Sequence, residues 1–196
     1  MKFGVSFIII LAIIVGGVWW SYAYKDKLIG KSTLTQATPA PSPKSAESEG
    51  ISGKPKVKII TDKGSFVVEL RPDLAPKTVA NFLEKFSREF CRGLTFHRVE
   101  NWVIQGCDPL GDGTGGSNSL PTEISNGDFG VIGSVGVASR PNKEGFSNDS
   151  QFFIIKSPAG HLNRGYTYFG QVVEGLDTVM KIQPQERIIN TVVLSK

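Results

Sequence analysis

Three short segments hold the side chains best suited to chemistry: Phe96-His97-Arg98-Val99, Trp102-Val103-Ile104-Gln105-Gly106 and Ser150-Gln151-Phe152-Phe153-Ile154. Each sets one strong hydrogen-bonding group, Arg98, Gln105 or Gln151, among large apolar neighbours. Arginine is permanently charged and offers five N–H donors in a rigid plane, so it acts without titrating. No Ser-His-Asp set or nucleophile elbow accompanies these segments, and the acidic residues form no evident pair. Any catalysis here therefore needs neither a nucleophile nor a general base. Each residue also has a plain structural alternative: Phe153 lies in a core-like run, and Arg98 alone reads as a surface charge.

Other patterns carry less. Gly111, Gly113 and Gly116 satisfy a GxGxxG spacing, but a phosphate loop needs a strand before it and a helix after it. Asp108-Pro109 precedes and Ser117-Asn118-Ser119-Leu120-Pro121 follows, which reads as a loop. Cys91 and Cys107 lack metal spacing, and His97 and His161 complete no ligand set with them. The two cysteines are either a disulfide or two buried free thiols. Asn148-Asp149-Ser150 is a formal glycosylation sequon of a kind common by chance.

The elements that must position these side chains are short. Val57–Thr61 and Ser65–Leu70 alternate as strands around Asp62-Lys63-Gly64, a hairpin signal. Pro76 suits the first turn of a helix, and Val79, Phe82, Leu83, Phe86 and Phe90 form one apolar helical stripe. Strand-like runs follow at Thr95–Val99, Trp102–Cys107, Val131–Ala138, Gln151–Ile155, Tyr168–Val173 and Ile188–Leu194, with a second short helix over Leu176–Ile182. Eight short strands with glycine-rich connections and two helices predict a mainly β, antiparallel barrel.

The 196 residues suffice for one sizeable globular domain. The chain carries 22 Lys and Arg against 18 Asp and Glu, a net charge of +4, and the excess lies N-terminal to that domain. From Ile59 to Lys196 there are 14 basic and 15 acidic residues, so the domain is near neutral and a nucleic-acid partner is not expected. Phe3–Tyr22 is uncharged and long enough to cross a bilayer as a helix, with Trp19, Trp20, Tyr22 and Tyr24 at one end as an interfacial belt. Residues 1–24 are read as an uncleaved transmembrane anchor, with a cleaved signal peptide as the alternative. Residues 25–56, rich in Pro, Ser and Lys, form a flexible, disordered linker. Lys25, Lys27 and Lys31 favour a cytosolic domain by positive-inside counting, whereas the short Lys2-bearing start resembles an export signal; an extracytoplasmic domain on a single-pass anchor is the reading adopted.

Together the three opening segments resemble the signature of the cyclophilins, peptidyl-prolyl cis–trans isomerases. The likeness runs from about Val57 to the C-terminus and takes in Pro76-Lys77-Thr78-Val79-Ala80-Asn81-Phe82 and Tyr168-Phe169-Gly170-Gln171-Val172. It implies a closed eight-stranded antiparallel β-barrel capped by two α-helices over residues 57–196. It also implies a monomer that acts, without cofactor or metal, on proline-containing unfolded or flexible polypeptides. By position, Arg98 and Gln105 resemble the catalytic pair. Trp102, Val103, Phe153 and Leu162 resemble the proline pocket, and Ala138, Ser139 and Gln151 the groove for the preceding residue. His161 and Tyr166 fall where the family often has tryptophan and histidine.

The implied chemistry suits those residue types. Peptide C–N rotation faces a barrier of ~18–20 kcal/mol because the nitrogen lone pair is delocalised. A guanidinium that donates to that lone pair once the amide twists binds the transition state better than the ground state. Several residues depart from the family pattern: Glu100 stands where an apolar residue is expected and could weaken Arg98, Trp102 replaces phenylalanine, Cys107 and Asp149 replace glycines, and Ser139 replaces asparagine. The loop from Val99 to Trp102 is also one residue short. A non-catalytic proline-peptide binding or chaperone module is the alternative.

Overall fold

The computed structural model describes residues 53–140 and 144–195. The anchor expected over 1–24 and most of the linker lie outside these residues; within them no helix is long and apolar enough to cross a membrane.

Alternating burial builds the first hairpin. Strand β1 (Lys56–Thr61) and strand β2 (Gly64–Leu70) pair antiparallel from Lys56↔Glu69 to Thr61↔Gly64. Thr61 Oγ1 accepts from the Lys63 N–H and donates to the Gly64 carbonyl, which closes the turn. Helix α1 (Pro76–Ser87) has Pro76 in its first turn, where a missing N–H leaves nothing unpaired. Ala75 cannot cap it, and Glu123 does so from a distant loop, its carboxylate accepting from the N–H groups of Lys77 and Thr78 at 3.1 and 2.8 Å. Val79, Phe82, Leu83 and Phe86 face the core, and Phe82 stacks on Phe169 at 4.7 Å. The apolar stripe does not extend to Phe90. Glu89 turns left-handed at φ 54°, the helix stops, and the half-exposed Phe90 ring lies 4.5 Å from Lys85 Nζ.

The remaining strands are β3 (Arg98–Val99), β4 (Val103–Gly106), β5 (Leu120–Pro121), β6 (Ser134–Val137), β7 (Phe146–Ser147), β8 (Phe152–Ile155), β9 (Tyr168–Glu174) and β10 (Ile188–Ser195). Helix α2 (Leu176–Lys181) joins β9 to β10. Eight strands make one antiparallel sheet in the order β10-β1-β2-β9-β6-β8-β4-β3, and β5 with β7 forms a separate two-stranded ribbon.

The sheet does not close, which corrects the closed barrel expected above. β3 is two residues long and pairs only with β4. Between it and β10 the seam holds one bridge, Thr95↔Arg187, and a few backbone hydrogen bonds such as Phe96 N–H to the Glu186 carbonyl and Ile188 N–H to the Leu94 carbonyl. The chain leaves the seam at His97 before a continuous ladder can form.

Two apolar clusters fill the fold. The larger lies between the sheet and α1 around Phe66, Phe82, Phe86, Phe96, Phe152 and Phe169. The smaller, Val103, Phe129, Phe153, Ile155, Ala159 and Tyr168, lies on the other side of β4, β6 and β8 and carries Trp102, Leu162 and Tyr166 at its edge. Cys91, after α1, and Cys107, after β4, are fully buried and joined as a disulfide with their Cα atoms 5.0 Å apart. Of the two states left open by the sequence, the disulfide is the one formed.

Candidate active site

The smaller cluster comes to the surface beside the β3–β4 hairpin. Arg98 pairs with Gln105 across it, and the Glu100 N–H donates to the Val103 carbonyl at 2.8 Å, so Asn101-Trp102 form a two-residue turn. The shortened loop thus closes tightly. Arg98 faces Gln105 across the β3–β4 pair, and Glu100 follows just past the end of β3. Arg98 Nε donates to Glu100 Oε1 at 2.7 Å, and Trp102 Nε1 donates to Glu100 Oε2 at 2.7 Å. Arg98 Nη1 lies 3.4 Å from Gln105 Oε1, and the guanidinium carbon is 5.3 Å from the Trp102 ring. The hydrogen bond from Arg98 holds the Glu100 carboxyl below the usual range, so it is ionised near neutrality.

A cleft opens beside this group. Arg98, Gln105, Trp102 and Val103 form one wall, and Ala138, Ser139, Phe153, Leu162 and Tyr166 complete it. Its volume is about 80 Å³, room for a small ring and far below the ~300 Å³ from which drug-sized pockets start. Phe153 is locked as the floor, edge-on to Tyr166 at 5.7 Å and packed on Phe129 at 5.4 Å. Gly136 on β6 leaves the space those two rings fill, since a Cβ there would collide with both. A wider cleft of about 450 Å³ continues past Ser139 and Tyr166, with Arg140, Glu144 and Arg164 on its rim.

Two residues expected at the cleft lie elsewhere. Gln151 is fully buried behind Gln105, bonded to it and to the glycine loop. His161 is exposed on a one-turn 3₁₀ segment (Gly160–Leu162), its ring 6.0 Å from that of Trp102. Sequence reasoning also missed Asn148. It is buried, its Oδ1 accepts from the N–H groups of Ser150 and Gln151, and its Nδ2 donates to the Gly115 carbonyl. The Asn-Asp-Ser triplet that carries it signals this local turn, and a side chain so engaged is no glycan acceptor. Residues 108–116 form the loop expected, with the buried Asp108 accepting from the N–H groups of Leu110 and Gly113.

A family model described as "Cyclophilin type peptidyl-prolyl cis-trans isomerase/CLD" matches residues 56–194. The chain belongs to the cyclophilin family. Among curated cyclophilin relatives, a peptidyl-prolyl cis-trans isomerase-like 2 from Neurospora crassa is 40% identical over 136 residues, covering 68% of this chain and 23% of that protein. A peptidyl-prolyl cis-trans isomerase-like 3 from Gallus gallus is 34% identical over 130 residues, covering 65% of this chain and 81% of the relative. The chain thus spans less than a quarter of the fungal relative's length and most of the avian one. A crystal structure of a cyclophilin-type isomerase from Cryptosporidium parvum superposes with a TM-score of 0.67 at 29% identity, covering 74% of this chain and 99% of that one. A second structure of that cyclophilin, determined in the presence of the dipeptide Ala-Pro, gives 0.65 at 30% identity, with 72% and 99% covered.

Proposed function

We propose that this cyclophilin catalyses cis–trans isomerisation of X–Pro peptide bonds in unfolded or flexible polypeptides, without a cofactor. The observation that carries the reading is Arg98 held at the edge of a cleft floored by Phe153. The proline ring occupies the slot between Trp102, Val103, Phe153 and Leu162. Arg98 then points its Nη groups at the amide nitrogen, whose lone pair becomes an acceptor only as the bond twists. Gln105 orients Arg98 and the adjoining backbone. The likeness to a cyclophilin studied with Ala-Pro supports proline peptides as the ligand class.

The test is a refolding reaction limited by proline isomerisation, which runs uncatalysed over ~10–100 s. Wild-type protein accelerates it, and Arg98→Ala lowers kcat/KM by roughly 10²–10³, the loss typical of one preorganised transition-state donor. Equal acceleration by both proteins, or by neither, sinks the catalytic reading. Binding of proline peptides without acceleration would favour the binding-module alternative.

The proposal includes a single-pass anchor at residues 1–24 and an extracytoplasmic domain. The uncharged Phe3–Tyr22 stretch supports the first, and the buried Cys91–Cys107 disulfide suits an oxidising compartment. Protease added outside intact cells cuts the chain if the domain faces the exterior; cleavage only after membrane disruption fits either a cytosolic or an enclosed lumenal domain.

A further inference from the structure

We infer that Glu100 is a positioning residue for the isomerase reaction, a carboxylate bracket that aims Arg98 into the cleft and fixes Trp102 as its wall. The inference rests on the catalytic reading of Arg98.

Its basis is the way one carboxylate is divided. An arginine beside a carboxylate ordinarily forms a fork, with Nε and one Nη bonded to the two oxygens. Here Oε1 accepts from Arg98 Nε, and Oε2 is occupied by the Trp102 indole N–H, both at 2.7 Å. With Oε2 turned to the indole, neither Nη of Arg98 is bonded to Glu100, and Nη1 lies near Gln105 Oε1. The tie also holds the guanidinium over the Trp102 ring. The two-residue turn makes the division possible by placing residue 102 within reach of residue 100. The turn is itself anchored: the Lys156 N–H donates to the Trp102 carbonyl at 2.7 Å, and Lys156 Nζ donates to the Glu100 carbonyl at 3.1 Å.

Two effects of Glu100 on Arg98 oppose each other. Its negative charge reduces the field that the guanidinium exerts on the twisted amide. Its hydrogen bond removes the rotamer freedom of a long side chain that is two-fifths exposed and would otherwise have to be ordered in the transition state. The acceptor in that transition state is a neutral lone pair, which needs alignment more than full charge, so ordering wins.

The experiment uses the refolding assay and a proline-peptide assay on full-length protein carrying Glu100→Ala, Glu100→Gln, Arg98→Ala and Arg98→Ala/Glu100→Ala. Glu100→Ala lowers kcat about tenfold with KM changed less than twofold, within the ~10²-fold that one ångström of misplacement can cost. Glu100→Gln, which keeps an oxygen acceptor for Nε, recovers most of the loss. In the Arg98→Ala background, Glu100→Ala has no further effect on kcat. Rates equal to or above wild type for Glu100→Ala and Glu100→Gln, with Arg98→Ala inactive, overturn the bracket and make Glu100 an attenuator of Arg98. An equal loss in both Glu100 variants, or a rise in KM alone, also overturns it. Wild-type activity in Arg98→Ala removes the catalytic reading itself, a failure distinct from the others.

Discussion

Gln105 and Gln151 are joined side chain to side chain, with Gln105 Nε2 donating to Gln151 Oε1 at 2.8 Å. Gln151 Nε2 in turn donates to the carbonyls of Gly115 and Gly113 at 2.8 and 3.2 Å. Those carbonyls accept only, so they fix which end of the Gln151 amide faces them. Its oxygen must then face Gln105, whose own oxygen is left for Arg98 Nη1. A directed chain of amides thus runs from the glycine loop to the guanidinium, and the buried Gln151 sets the polarity of the partly buried Gln105.

Gln151→Leu breaks that chain at its source. It leaves the Gly113 carbonyl and one Gln105 amide N–H without their partner and takes one of its two donors from the buried Gly115 carbonyl, so the domain loses about 1–3 kcal/mol of stability. Gln105 is then free to flip, and kcat falls while KM for a proline peptide holds. Urea denaturation and the refolding assay measure the two effects. Unchanged stability would mean that the loop carbonyls find other donors and that Gln151 is not their anchor.

The disulfide makes a second expectation. It closes a loop of sequence separation 16, and cross-links of that size contribute ~3 kcal/mol in the chain-entropy account. Cys107 also sits at φ 62°, left-handed backbone that costs a non-glycine residue ~1–2 kcal/mol. Cys91→Ala/Cys107→Gly should therefore retain more stability than Cys91→Ala/Cys107→Ala, although both fall below the oxidised wild type. Denaturant midpoints of the three proteins decide it; indistinguishable double variants would show that the backbone relaxes once the link is gone.

The elements that positioned the site were legible wherever side-chain periodicity was strong. Alternation located β1 and β2, short apolar runs located the other six strands of the main sheet, and helical spacing located α1. Periodicity cannot see a backbone turn, so the stripe ran on to Phe90 past the left-handed Glu89. Nor can it register β5 and β7, two residues each with Pro121 in one of them. Closure of the sheet depends on how the chain leaves the seam at His97, which no strand pattern encodes. At the cleft, residue types marked the walls, but depth did not follow from them: Gln151 directly precedes a strand whose every residue is buried, and it supports Gln105 from behind. Glu100 was visible as a neighbour of Arg98, whereas the division of its two oxygens required the Trp102 indole to be placed.

Gly136 gives a test of the cleft floor. A Cβ at this position would collide with the rings of Phe153 and Phe129, both buried. Gly136→Ala should push Phe153 toward the slot and cost about 1–3 kcal/mol, as overpacking does. Affinity for a proline peptide falls with it, read as a higher KM in the peptide assay. Wild-type KM together with wild-type stability would mean that the rings have room to withdraw and that Phe153 is not held in place by β6.

His97 makes stability depend on pH. Both ring nitrogens are buried without a hydrogen-bond partner, beneath the loop that carries Asp108, Asp112 and Gly113. Burial lowers its pKa; Asp108 and Asp112 oppose that shift and Arg98 adds to it. The unfolded chain therefore takes up a proton near pH 6.5 that the folded chain does not, and stability falls as pH drops below that value until the folded imidazole titrates. The carboxylates of Asp73, Glu100, Asp112, Asp128 and Asp177 are shifted downward in the fold, so their contributions are lost at lower pH, through and below the usual carboxylate range. Melting temperatures between pH 5 and 7.5 thus isolate His97: wild type should melt lower toward pH 5, and His97→Phe should show a flatter profile. Parallel profiles for the two proteins would assign the slope to other groups and leave His97 without a part in it.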